Sequence, residues 1–178
     1  MSIQIKIFAD PWLGTPAMKD PTSLGRYLGE EYFSFAACDE WLGDIYLLEK
    51  NSGAKDIWSK DELRKMYRLS SCSMVVVYLK DALVKPVAYM AFSARNEKVS
   101  VWSIVVHPAY RLQKLGSKML KWLARENSKL DLVATVRESD LASQLFFRQC
   151  GFTCMKIAKE TFKAPPEDGY FFAMRSLR

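Results

Sequence analysis

The stretch from Lys98 to Asn127 constrains this chain more than any other. Val99, Val101, Ile104, Val105 and Val106 form an apolar run that reads as a strand over Lys98–Val106, with Ser103 alternating alongside Val99 and Val101, against Trp102 and Ile104. Pro108, lacking a backbone N–H, stops the strand. A polar, basic loop follows. An amphipathic helix then runs over Gly116–Asn127, turning Leu115, Met119, Leu120, Trp122 and Leu123 inward. A strand feeding such a loop brings the unpaired N–H groups of the next helix, and the positive end of its dipole, to one spot that suits a phosphate. Arg111, Lys114 and Lys118 add full charges there, while Lys121 and Arg125 read as a solvated face.

The sequence Gln113-Lys114-Leu115-Gly116-Ser117-Lys118 resembles the pyrophosphate signature of the GNAT superfamily, acyl-CoA-dependent N-acyltransferases whose loop reads Gln/Arg-x-x-Gly-x-Gly/Ala. Gln113 and Gly116 match, and Lys118 stands where a small residue is expected. A second segment strengthens the resemblance. Asp131–Arg137 reads as a strand and Ser139–Cys150 as a helix ended by Gly151, with Ser139 or Asp140 able to cap its start. Together they are similar to the family's Val-Arg-x-x-Asn-x-x-Ala-x-x-x-Leu-Tyr-x-x-x-Gly-Phe. Val136, Arg137, Ala142, Gly151 and Phe152 fall in register; Asp140, Phe146 and Phe147 occupy the Asn, Leu and Tyr positions. The motifs are nearest to those of the ribosomal-protein N-terminal acetyltransferases and carry the resemblance from about Met74 onward.

That resemblance implies one α+β domain over residues 1–178, a GNAT-like, mostly antiparallel mixed sheet with helices on both faces. Residues 1–72 would supply a first strand and a helical acceptor side, and residues 73–178 the acetyl-CoA-binding core. It implies transfer of an acetyl group from acetyl-CoA to an amine by direct attack. Backbone groups of Ile104, Val105 and Val106 would pair with the pantetheine arm much as an added strand would. Arg111, Leu112, Gln113, Lys114, Leu115, Gly116, Ser117 and Lys118 would hold the pyrophosphate, with Asp140 and Phe147 completing the site. The proton chemistry departs from the family. Its usual Tyr is Phe147 here, and the Glu on the strand before Val-Arg is Thr135. Tyr110, Tyr170 and Glu138 are therefore the candidate catalytic groups, with Tyr89 a further substitute. Two other readings stand beside the enzyme: a non-catalytic CoA binder or assembly component, and a basic nucleic-acid-binding module.

Composition bounds these readings. A chain of 178 residues, 49% hydrophobic and 26% charged, is one globular domain's worth. Twenty-six Lys and Arg against 20 Asp and Glu give +6, which suits an anionic ligand, but the cations are scattered rather than blocked as in a nucleic-acid tail. Acetyl-CoA and a small-molecule or protein amine are thus the expected partners, bound by a monomer or homodimer, with neither nucleic acid nor membrane expected. Four cysteines without CxxC spacing and one histidine predict no metal site, and reduced, buried thiols in the cytoplasm. His107 reads as a residue shaping the strand exit.

Elsewhere the pattern predicts a strand over Ile3–Phe8, a loop holding Pro11, Gly14, Pro16 and Pro21, and helices over Ser23–Phe33 and Cys38–Glu49. Ser59 and Glu62 form a capping box ahead of a helix with Leu63, Met66, Tyr67 and Leu69 on one face. Strands follow at Met74–Leu79 and Leu83–Ser93, turned by Lys80-Asp81, and later at Thr153–Phe162 and Tyr170–Arg175, joined by a loop over residues 163–169.

Overall fold

The computed structural model describes residues 2–4, 20, 22–36, 39–54, 57–69, 71–79 and 85–176. In chain order the elements are β1 (Ser2–Gln4), α1 (Ser23–Leu28), β2 (Tyr32–Ala36), α2 (Leu42–Lys50), α3 (Lys60–Arg68), β3 (Cys72–Leu79), β4 (Ala88–Arg95), β5 (Lys98–Val106), α4 (Leu115–Glu126), β6 (Asp131–Arg137), α5 (Leu141–Gln149), β7 (Thr153–Lys163) and β8 (Pro166–Met174), with 3₁₀ turns at Asp39–Trp41 and Pro108–Tyr110. The sheet runs β2-β3-β4-β5-β6-β8-β7, and β1 pairs with β5. Among the described strands only β5 and β6 are parallel, because α4 carries the chain across between them.

One core cluster lies under α1, α4 and α5, drawing on Leu24, Met119, Trp122 and Phe147. The other lies under α2 and α3, drawing on Ile45, Leu63, Tyr89 and Trp102. The mixed sheet with helices on both faces is thus present. Lys98–Val106 and Asp131–Arg137 are strands as the apolar runs predict. The Ser59–Glu62 capping box forms in both directions, with Leu63 and Met66 buried.

Several boundaries differ from the sequence reading. The helix expected over Ser23–Phe33 ends at Leu28, and Gly29 turns the chain at φ 140° into β2, so Tyr32 and Phe33 are strand residues. Before α2, Asp39–Trp41 is a 3₁₀ turn rather than α-helix. Pro86 precedes β4, which opens at Ala88. Pro166–Gly169 belong to β8 instead of a loop, since the hairpin turns tightly at Ala164 and Pro165. Strict alternation also fails inside β5. Val101 and Ile104 join the α4 side, whereas Trp102 and Val105 join the α2 side, and Ser103 bonds toward α2 as well. Partner register on β4 jumps from Ala91↔Ser103 to Phe92↔Val101, which leaves Trp102 as a β-bulge. Cys154 is an exposed free thiol, and Cys72 and Cys150 are free and half-buried, so not all thiols are buried. Residues 5–8, the Pro11–Pro16 loop, Pro21, Cys38, and Lys80 through Val84 lie outside the described residues.

Candidate functional site

β6 follows β5 only from Lys98↔Asp131 to Ser100↔Val133, and then the two strands part. The separation starts next to the Trp102 bulge, which bends β5. Beyond it, β5 presents an edge without β6. β1 uses that edge in antiparallel register, Ser2↔Val105, Ile3↔Ile104 and Gln4↔Ser103.

At the end of this edge the chain makes the loop predicted to receive phosphate. Leu112 and Lys114 both adopt the left-handed conformation, at φ 63° and 62°, where a side chain costs roughly 1–2 kcal/mol each. Backbone strain of this kind concentrates at functional loops. Leu112 is fully exposed. Lys114 stands at the N-cap of α4 and gives the helix no side-chain hydrogen bond, and the first turn carries no acidic residue. The helix therefore opens with its amides and dipole directed outward.

A cavity of about 580 Å³ lies at this helix end. Of the residues expected to bind cofactor, Ile104 and Val106 line it from β5. Arg111, Leu112, Lys114, Leu115, Gly116 and Ser117 line it from the loop and helix. Pro108, Tyr110, Phe146 and Gln149 complete the wall. A Cβ at Gly116 would lie 3.2 Å from Cζ of Phe146, so the glycine lets that ring sit close against the start of α4 at the cavity wall.

Other expected residues are engaged differently. Val105 faces the opposite side of the sheet, in the α2–α3 cluster. The Gln113 carboxamide oxygen accepts a hydrogen bond from Tyr32 Oη at 3.5 Å. Lys118 Nζ donates to the Leu28 carbonyl at 3.0 Å, so it caps the end of α1. The Arg111 guanidinium bonds the carbonyls of Ser52 (2.6 Å) and Val106 (3.3 Å), tying the loop to the segment after α2. Asp140 caps α5, accepting from the Ser143 amide at 3.0 Å and from its hydroxyl. Phe147 is wholly buried, its ring 4.9 Å from that of Phe152 and 6.1 Å from that of Phe172. It is thus a core residue. The phenyl ring at the cavity is its neighbour Phe146, because adjacent helical positions point about 100° apart.

Thr135, at the position of the family's Glu, is also buried, with its methyl 2.8 Å from where a Gly169 Cβ would stand. Tyr170 and Glu138 are brought together: Tyr170 Oη donates to the Glu138 carboxylate at 3.4 Å, and partial burial together with that carboxylate keeps the phenol protonated above its usual range. Tyr110 stands apart from this pair, half-buried on the cavity wall, its ring 5.7 Å from His107. The His107 imidazole accepts the Ala109 amide through Nδ1 at 3.2 Å, which caps the turn after β5. Arg137 reaches the hairpin carbonyls of Ala164 and Pro165 and the carboxylate of Glu167, each within about 3.1 Å, and holds β7–β8 against the end of β6.

A group that sequence reading does not single out lies under α2. The Glu49 carboxyl is inaccessible and accepts from the hydroxyls of Tyr89 and Ser103, while its Oε2 makes no hydrogen bond. Burial pushes its pKa up to about 7 against those bonds, and Tyr89 is driven well above its usual range by burial and by the carboxyl beside it. Within a helix a lone Glu reads as solvated; its partners lie on β4 and β5, far along the chain. Among the described residues no cluster could hold a metal, and no helix is long and apolar enough to cross a membrane.

A sheet split at its one parallel pair, with an uncapped helix and a basic loop at the mouth of the split, is the architecture of an acyltransferase fold. The chain belongs to the acetyltransferase (GNAT) family, whose sequence pattern it matches over residues 35–152. In structure it is similar to the ribosomal-protein-S18-alanine N-acetyltransferase from Escherichia coli, at TM-score 0.69 and 20% identity over 83% of this chain and 96% of that one. Ard1 from Thermoplasma volcanium superposes at 0.68 and 14% identity, covering 83% and 99% of the two chains. A spermidine N-acetyltransferase chimera from Vibrio cholerae and hSSAT superposes at 0.67 and 15% identity, covering 82% and 96%. At these identities the likeness is one of fold. No curated protein matches the sequence.

Proposed function

We propose that the protein moves an acetyl group from acetyl-CoA to an amine by direct attack on the thioester. A nitrogen–carbon bond forms, the carbon–sulfur bond breaks, the amine sheds a proton and the departing thiolate gains one. The observation that carries the reading is the cavity joining the uncapped start of α4 to Ile104 and Val106 on β5. Amides at α4 and the Lys114 ammonium would bind the pyrophosphate, and the β5 edge would take the pantetheine amides. Residues 1–72 would form the acceptor side, and the protein would work in the cytoplasm. For the proton steps, Tyr110 on the cavity wall and the Tyr170–Glu138 pair are the groups available; a hydroxyl at Phe147 would enter a cluster of phenyl rings.

A non-catalytic CoA binder is the second reading, and the burial of Phe147 and Thr135, which fill the family's acid and base positions without supplying either, favours it. Titration with acetyl-CoA tests binding: at a hundredfold excess over Kd the fold should gain about 2.7 kcal/mol. The absence of any thermal shift at millimolar acetyl-CoA would overturn both readings. Mass-spectrometric detection of acetylated product across a panel of amines and peptides separates enzyme from binder. Tyr110→Phe and Tyr170→Phe, assayed alongside, identify which hydroxyl matters by a fall in kcat without a change in acetyl-CoA affinity.

A further inference from the structure

We propose that β1 is an intramolecular competitor for the acyl-CoA groove, so that ligand binding and β1 pairing exclude one another. The inference rests on the acyl-CoA reading above. Three observations made on different residues converge on it. First, Ser2–Gln4 pair with Ser103–Val105, the length of β5 that β6 abandons after Ser100. A pantetheine arm lying on that edge would need the same outward N–H and C=O groups, and a backbone group cannot serve two strands at once. Second, α1 is fastened over α4 by side chains of α4 itself, one of them in its first turn. Lys118 donates to the last carbonyl of α1, at Leu28, and Trp122 Nε1 donates to Ser23 Oγ at 2.9 Å. Third, Tyr32, where β2 begins, spends its hydroxyl on Gln113.

Lys118 and Gln113 thus face a choice of partner. The Lys118 cation in a small-residue position has a local explanation, because it neutralises the C-terminal end of α1. A pyrophosphate at the α4 N-terminus would attract the same ammonium. The family match begins at residue 35, after both β1 and α1, so these elements are additions to the matched domain. Apparent affinity for acetyl-CoA is then the intrinsic affinity reduced by the fraction of molecules whose β5 edge is free.

The test uses the full chain. Ile3→Pro removes the amide at the middle pair of β1 and cannot continue the ladder, whereas Ile3→Val keeps the strand. Calorimetric titration should show acetyl-CoA binding Ile3→Pro at least about fivefold more tightly than the parent, and Ile3→Val like the parent. Hydrogen exchange on the unmodified protein gives a second readout. Saturating acetyl-CoA should strip protection from Ser2–Gln4 and leave α3 unchanged. Equal affinity in parent and Ile3→Pro, or retained protection of Ser2–Gln4 in the saturated complex, overturns the proposal while leaving the acyl-CoA reading intact. If neither parent nor Ile3→Pro binds acetyl-CoA, the functional reading itself falls and takes this one with it.

Discussion

On the face covered by α1, α4 and α5, the core cluster is largely aliphatic and phenyl, with Trp122 and Tyr32 as its polar-tipped aromatics, and main-chain amides open toward the cavity at its rim. The face covered by α2 and α3 carries Tyr78, Tyr89, Trp58 and Trp102 and has a carboxyl sealed inside it. The first cluster holds no carboxyl, so its stability should be indifferent to pH. The second buries an ionisable group, and its stability should follow that group's protonation. One sheet separates two environments that demand different experiments.

The largest effect should come from the first face. Phe147→Ala removes a ring enclosed by Phe146, Phe152 and Phe172 and should cost about 3–5 kcal/mol in denaturant unfolding, equally at acid and neutral pH. A pH-dependent loss would break the comparison.

Next is Glu49, whose neutral form the fold favours. Its pKa rises from 4.5 to about 7 on folding, chiefly through burial, with the nearby Glu62 carboxylate adding to the rise. The corresponding stability is complete below about pH 4.5 and is lost as pH climbs through about 7, a change of roughly 3 kcal/mol. Glu49→Gln keeps an acceptor for the Tyr89 hydroxyl and removes the titration. Unfolding free energies measured across this window should slope downward for the parent and lie flat for the variant; parallel curves would refute the assignment.

Ser59→Ala sharpens the same contrast at lower amplitude. It deletes the hydroxyl that accepts from the Glu62 amide while leaving the Ser59 N–H on the Glu62 carboxylate, at a cost of about 1 kcal/mol that circular-dichroism melts can resolve. The smallest effect on stability belongs to Lys114→Glu, within about 0.5 kcal/mol because the side chain is exposed and caps nothing. Its consequence should appear in the acetyl-CoA titration, as a weakened stabilisation. An undiminished shift would move the phosphate site away from the α4 N-terminus.

What the sequence discloses follows from how local each signal is. β5 and β6 stand out because several apolar residues fall in short runs closed by Pro108 and by the Arg137–Glu138 polar step. Ser59 and Glu62 announce α3 from three residues apart. The end of α1 is harder to place, since Tyr32-Phe33-Ser34-Phe35 suits either period and only the pairing with β3 decides for a strand. Phe146 and Phe147 are neighbours of identical chemistry, and a motif assigns the pair without settling which ring faces the cavity. Glu49 depends on Tyr89 and Ser103, 40 and 54 residues away, so no local pattern flags it. Lys118 looks like a phosphate ligand until α1 supplies a competing carbonyl.

The extra residue in β5 also acts as a phase slip in the strand's reading frame. Upstream of Trp102 odd-numbered valines face α4; downstream, Ile104 and Val106 do, and the parity is reversed. A relative aligned through this strand without a one-residue gap would have its groove-facing and interior positions exchanged from Ser103 to Val106. Deleting Trp102 should instead remove the bulge and restore strict alternation, leaving Ile104 and Val106 on the α4 face and Val105 toward α2. Which side chains of this β5 edge face inward and which outward is therefore set by a count of residues as much as by their chemistry.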